Sequence, residues 1–210
     1  MKKAVIYGAS GLVGSHLLDE LLKNSSYDQV TAIVRKPLPI QHPKLKMLIG
    51  DYYTLPNLKD QIEADDMFIA LGGTKPKIHV DYPVLAAQIA KEKGAQSVFV
   101  ITAVGASLRS RLPYLRVKGE IEKKLIALEF EHTHIFRPCM IMGKRKGFHL
   151  TEKTVLTIWK FLNPFFMAGM SRYKGMEARN IAQAMRNAVN HQSEKVKIYH
   201  WKEMNDLLRS

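Results

Sequence analysis

KKAVIYGASGLVGSHLLDELL, residues Lys2 to Leu22, is the stretch from which the rest of the chain can be read. Ala4 to Tyr7 form a short apolar run of the kind that makes a fully buried parallel strand. Gly8, Gly11 and Gly14 follow, and Val13, Leu17, Leu18, Leu21 and Leu22 then recur at helical spacing. A strand, a glycine turn and a helix N-terminus, in that order, make a phosphate cradle. The first glycine allows the tight turn, the second lets a pyrophosphate approach the backbone, and the third lets helix and strand pack closely. The expected dinucleotide contacts are therefore Gly8, Ala9, Ser10, Gly11, Leu12, Val13 and Gly14, with Ser10 placed to hydrogen-bond a phosphate. A glycine triplet alone can equally be an ordinary turn; the strand before it and the helix after it favour the cradle.

At 210 residues the chain has room for one domain, residues 1–210, with its own core. The nucleotide-binding part is expected over about 1–142, with a small substrate lobe and packing elements over about 143–210. A single cysteine, Cys139, excludes an internal disulfide and suits a reducing compartment. Met1-Lys2-Lys3 before an apolar run hints at a signal peptide, but the run ends at Tyr7, too early for one. The most apolar later stretch, Thr154 to Met170, is broken by Lys160, Asn163 and Pro164, so no membrane-spanning segment is expected. A cytoplasmic location follows from these points. The formal net charge of +13 attracts anions. Its cations are spread along the chain, densest at Arg109/Arg111/Arg116/Lys118 and Lys144-Arg145-Lys146. This reads as a solvated basic surface suited to an anionic cofactor rather than as a nucleic-acid site.

Val30 to Val34 make the second strand, and Arg35-Lys36 follow its end. An NAD-specific protein places an acid there to hold the adenosine ribose hydroxyls. Two cations instead suit a 2′-phosphate, which Arg can clamp bidentately, so NADP(H) is expected in preference to NAD(H). The alternative is that Arg35 stacks on adenine, which serves either cofactor. Leu45 to Ile49 read as the third strand, Leu58 to Ile62 as a short helix and Met67 to Leu71 as the fourth strand. Asp81 to Lys93 is an amphipathic helix capped by Gly94, and Ser97 to Ile101 is the fifth strand. Strands alternating with helices predict an α/β fold, a doubly wound parallel sheet with helices on both faces. Its ligand crevice lies outside the carboxyl ends of the strands.

Just beyond the fifth strand comes Tyr114-Leu115-Arg116-Val117-Lys118. Residues four apart share a helix face, so phenol and ammonium can share a site. A tyrosine that moves a proton at neutral pH needs its phenolate stabilised, which an adjacent cation does. Roughly one chance Tyr-x-x-x-Lys is expected among eight tyrosines in so lysine-rich a chain; this is the one instance, and it opens the helix after the fifth strand. The alternative is a surface lysine beside a partly buried tyrosine.

The G-x-x-G-x-x-G spacing and GASGLVG resemble the short-chain dehydrogenase/reductase (SDR) superfamily in its extended and atypical branches. RVKGEIEKKL (116–125) followed by His134-Ile135-Phe136-Arg137-Pro138 narrows the likeness to atypical, epimerase/dehydratase-like proteins of the Tat-interacting-protein type. The resemblance runs from about Lys2 to Gly143. It implies a Rossmann-like fold, with Asp51 on the adenine amine (or simply a turn aspartate), and Leu71, Gly72 and Thr74 along the cofactor's central ribose. It further implies Tyr114 as proton donor, Lys118 on the nicotinamide ribose, and Arg137-Pro138 near the nicotinamide. The serine that polarises the substrate carbonyl in such enzymes is replaced by Thr102-Ala103, so Thr102 is the expected stand-in and Ser107 a less suitable one. The function implied is hydride transfer to an unidentified small carbonyl substrate. The alternative is a cofactor-sensing or partner-binding protein that has lost turnover.

Farther on, Lys144 to Gly147 read as a loop and Thr154 to Phe161 as a helix. Phe165, Phe166, Met167 and Met170 form an apolar cluster: a substrate pocket, a packing or dimer surface, or a peripheral membrane contact. Met176 to Val189 is expected as a packing helix, Val196 to Tyr199 as a late strand and Trp201 to Leu208 as a terminal helix. His132 and His134 alternate on one strand face, but no metal site is expected from two histidines without a supporting cluster. The assembly expected is a monomer or homodimer.

Overall fold

The structure, a computed structural model, describes residues 1–72, 76–143 and 172–209. Strands β1 (Lys2–Tyr7), β2 (Tyr27–Val34), β3 (Leu45–Ile49), β4 (Asp66–Ile69), β5 (Ser97–Ile101), β6 (His132–Phe136) and β9 (Val196–Tyr199) form one seven-stranded sheet in the order β3-β2-β1-β4-β5-β6-β9. Every pairing in it is parallel. The chain walks outward from β1 to β3, then returns to pair β4 on the other side of β1. That reversal opens a crevice at the carboxyl ends of β1 and β4, where ligands bind in such sheets.

Helices cover both faces because the strands alternate. Ala4 and Ile6 of β1 point into one core with α1 (Leu12–Lys23), while Val5 and Tyr7 point into the other. On the first face α1 packs against α5 (Ala178–Ala188), and α6 (Trp201–Leu207) packs on α5. An ion pair from Arg186 to Glu20, at 3.4 Å, ties α5 to α1. On the second face α3 (Pro76–Glu92) lies against α4 (Pro113–Ala127). The short α2 (Leu55–Leu58) with a following 3-10 turn, Lys59–Gln61, joins β3 to β4.

The expected bounds of β3, β5 and β9 match. The short helix begins earlier than expected, at Leu55, and α3 begins at Pro76 rather than Asp81, with Pro83 inside it. A proline usually sits no deeper than the first turn, yet Pro83 is the eighth residue of this helix. A small parallel pair, β7 (Met140–Met142) and β8 (Gly175–Glu177), went unread. Three-residue strands are too short to show a period. The Lys144–Gly147 loop, the Thr154–Phe161 helix and the Phe165–Met170 cluster lie outside the described residues.

An aromatic ladder crosses the sheet on the α1 face. Phe68, Phe99 and His134 sit in register on β4, β5 and β6, with ring centroids 4.7 and 4.5 Å apart. His134 Nδ1 and the Tyr199 hydroxyl share a hydrogen bond of 2.8 Å, and Nε2 is buried without a partner among the described residues. Burial holds the imidazole pKa down at about 4. The native ring therefore stays neutral while the unfolded chain takes up a proton near its ordinary value of 6.5. This contribution is full above pH 6.5 and is lost as pH falls towards 4. It amounts to up to roughly 3 kcal/mol. Urea unfolding across that range should show the slope, and His134→Phe should flatten it. An unchanged slope in the variant would assign the acid sensitivity elsewhere.

Candidate dinucleotide-binding cleft

The turn after β1 is built by contacts that only glycine permits. Gly8 has φ of +88°, and a Cβ there would stand 2.5 Å from the Ala70 carbonyl oxygen at the end of β4. A Cβ on Gly14 would stand 2.0 Å from the Gly8 carbonyl oxygen, so α1 rests directly on the turn. No side chain caps the N-terminus of α1 and no acid occupies its first turn. Its leading N–H groups and positive dipole end face the crevice, with Ser10 and Gly11 exposed beside them. These residues fit a pyrophosphate.

Arg35 and Lys36 emerge exposed at the carboxyl end of β2. Arg35 feels the Asp51 carboxylate, and both charges act on Tyr82, whose phenol burial pushes up to about 12. Asp51 Oδ1 accepts from the backbone N–H groups of Tyr53 and Thr54 at 3.0 and 3.1 Å, and from the Thr54 hydroxyl. These bonds, led by that from Thr54, hold its carboxyl below the usual range. The structure thus gives Asp51 its turn-closing role; the adenine contact is a separate matter.

Between α3, α4 and the ends of β4 and β5 lies a pocket of about 80 Å³. Ile69 lines it from β4, Leu71 and Gly72 from the segment that follows, Tyr82 from α3, Ile101 from β5, and Lys118 and Ile121 from α4. Thr74 lies outside the described residues. Lys118 is 7% exposed, and its Nζ stands 5.8 Å from the centroid of the Tyr114 ring, itself 57% exposed. Burial lowers the Lys118 ammonium pKa, and the Glu122 carboxylate opposes that shift. Pro113 at the first turn of α4 starts the helix that brings the two together.

Thr102 corrects an expectation. It is buried, and its hydroxyl donates to Glu122 Oε1 at 2.6 Å. A hydroxyl has one proton, and this one is spent on a carboxylate rather than directed to a substrate carbonyl. Arg137 is likewise engaged: Nε donates to Glu122 Oε1 at 2.9 Å and Nη2 to Oε2, a two-pronged clamp at the end of β6. Pro138 follows, its carbonyl accepting from Val104 N–H at 3.0 Å. Glu122 went unread, although it stands four residues beyond Lys118 on the same face of α4. Gly119 also went unread. A Cβ there would come within 2.7 Å of the Ser107 backbone, so α4 and the loop after β5 touch directly. Burial pushes the Cys139 thiol up. Among the described residues no three His, Cys, Asp or Glu side chains are grouped to hold a metal.

Residues 8–156 match the family model described as NAD(P)H-binding. The chain is similar to "Protein FMP52, mitochondrial" of Eremothecium gossypii, 32% identical over 155 residues, covering 70% of this chain and 69% of that relative. Among solved structures it resembles the oxidoreductase ylbE from Lactococcus lactis, with a TM-score of 0.70 at 17% identity, covering 99% of this chain and 97% of that one. It also resembles MoeE5 in complex with UDP-glucose and NAD, with a TM-score of 0.68 at 17% identity, covering 96% and 79%. At such identities these likenesses speak for the fold alone, a Rossmann-like α/β fold. The narrower likeness to the Tat-interacting type finds no support in them. The cytoplasmic location expected above is corrected: the relatives from Kluyveromyces lactis, Saccharomyces cerevisiae and Aspergillus niger carry the same mitochondrial name.

Proposed function

Since this chain belongs to the NAD(P)H-binding family, we propose that it is an NADP(H)-dependent oxidoreductase acting on a small carbonyl compound. The relatives' names put its setting in the mitochondrion rather than the cytoplasm. The observation that carries the reading is buried Lys118, which lines one pocket with Leu71 and Gly72 while its Nζ stands 5.8 Å from the Tyr114 ring centroid. NADPH, when bound, supplies a hydride. The residues of the chain do the rest. Gly8 to Gly14 and the α1 N-terminus hold the pyrophosphate, Arg35 and Lys36 the 2′-phosphate, and Asp51 the adenine edge. Leu71 and Gly72 flank the central ribose, with Arg137-Pro138 walling the nicotinamide end. Lys118 donates to the nicotinamide ribose hydroxyls. Tyr114 gives its phenolic proton to the carbonyl oxygen, and the Lys118 cation steadies the phenolate left behind. Thr102 has no part in this.

A second reading, a cofactor-binding protein without turnover, is favoured by one observation: the Thr102 hydroxyl is tied to Glu122 where such enzymes keep a carbonyl-polarising donor.

Titration of nucleotide-stripped protein with NADPH and NADH, followed by nicotinamide fluorescence, tests the site. NADPH is expected to bind at least roughly tenfold tighter, the worth of one charge-assisted clamp, and Arg35→Ala to narrow that gap. Equal affinities would remove the role given to Arg35. Failure of both nucleotides to bind would overturn the reading as a whole.

A further inference from the structure

The loop from β5 to α4, residues 102–112, presents apolar and cationic side chains side by side at the surface. Leu108 and Leu112 are 49% and 61% exposed, and Arg109, Arg111 and Arg116 are exposed among them. The loop is built, not slack. Ser107 N–H donates to the Leu115 carbonyl at 3.1 Å, and Ser110 N–H to the Ser107 carbonyl at 3.1 Å. The Ser107 and Ser110 hydroxyls each accept from the N–H two residues on, at 3.2 Å, fixing two successive serine turns. Gly119 lets α4 press on Ser107 from behind. Leu108 and Leu112 are thus held outward by a defined backbone.

No Asp or Glu occurs between Glu92 and Glu120, and Glu120 is paired with Lys124 at 2.9 Å. The arginines therefore face outward without a carboxylate from their own loop to neutralise them. We infer that this loop docks on an anionic lipid surface, Arg109 and Arg111 at the headgroups and Leu108 and Leu112 among the first acyl carbons. A phosphate-rich nucleic acid would satisfy the arginines and leave the leucines in water. A bilayer boundary offers anions and apolar matter in the same order as the loop does. No described helix is long and apolar enough to cross a membrane, so the contact is peripheral.

Flotation of the full chain with vesicles tests this without any need for a substrate. Capture is expected on equimolar phosphatidylcholine and phosphatidylglycerol, and not on phosphatidylcholine alone. Leu108→Ser with Leu112→Ser should weaken capture roughly tenfold or more at an unchanged melting temperature. Arg109→Gln with Arg111→Gln should weaken it by a similar factor and flatten its salt dependence. The inference is overturned by absence of capture on the anionic vesicles, or by capture that the leucine variant leaves intact. A leucine variant melting several degrees lower also overturns it, because the leucines would then be packed against protein. So does tighter binding to random-sequence duplex DNA than to the vesicles at the same salt.

Discussion

Tyr114→Phe is expected to lower turnover of a carbonyl substrate by roughly a hundred- to ten-thousand-fold while NADPH affinity stays within about twofold. The phenyl ring keeps the contact with Lys118, whose Nζ lies 5.8 Å from the ring centroid, and loses only the hydroxyl. The cofactor's ribose is assigned to Lys118, not to the phenol, so binding and chemistry should separate. Lys118→Met should lose both. A Tyr114→Phe protein with unreduced turnover would name the wrong proton donor and leave the cofactor assignment standing. Loss of NADPH binding in that variant would show the tyrosine to be a cofactor contact instead.

Glu122→Ala is expected to destabilise the fold by about 3 kcal/mol or more, the scale seen when one partner of a buried ion pair is removed. The side chain is 6% exposed and carries three bonds: two from Arg137 and one from Thr102. Removing it strands a guanidinium that is itself only 20% exposed and leaves the Thr102 hydroxyl without its acceptor. For a chain of this length that corresponds to a melting temperature lower by about 6–12 °C. Arg137→Met placed on top of Glu122→Ala should recover part of the loss, because the orphaned charge goes with it. Strictly additive losses would mean that the cost lies in packing and not in the charge. Calorimetry on the three variants decides between these.

The strands were legible because buried parallel strands read as apolar runs between turn residues. Ser97–Ile101 and Val196–Tyr199 kept their bounds for that reason. The first residues of α3, Pro76 to Val80, went unread, although this helix forms a wall of the pocket. At the site, sequence spacing placed Tyr114 and Lys118 on one helix face, which backbone geometry alone guarantees. It placed Thr102 at the right strand end but could not aim its hydroxyl. That direction depends on Glu122, twenty residues on, whose partner Arg137 comes from a third element. Long-range pairing of this kind leaves no local pattern. The Tyr114–Lys118–Glu122 spacing did hold the clue, for anyone extending the four-residue step once more.

The seating of α1 on α5 bears on the order in which the chain acquires structure. The helix that opens the nucleotide cradle is made within the first two dozen residues, yet the helix behind it begins at Ala178, and the sheet's last strand ends at Tyr199. The matched family region, ending at residue 156, includes neither. A nascent chain emerging from the ribosome would therefore hold its cradle with the apolar back of α1 uncovered until Ala178–Ala188 has been made. Leu17, Leu18 and Leu21 would then face solvent or a chaperone. Fragments that stop at the end of the matched region should be recovered as aggregates, and the dinucleotide should slow proteolysis only of chains that extend through α6 (Trp201–Leu207).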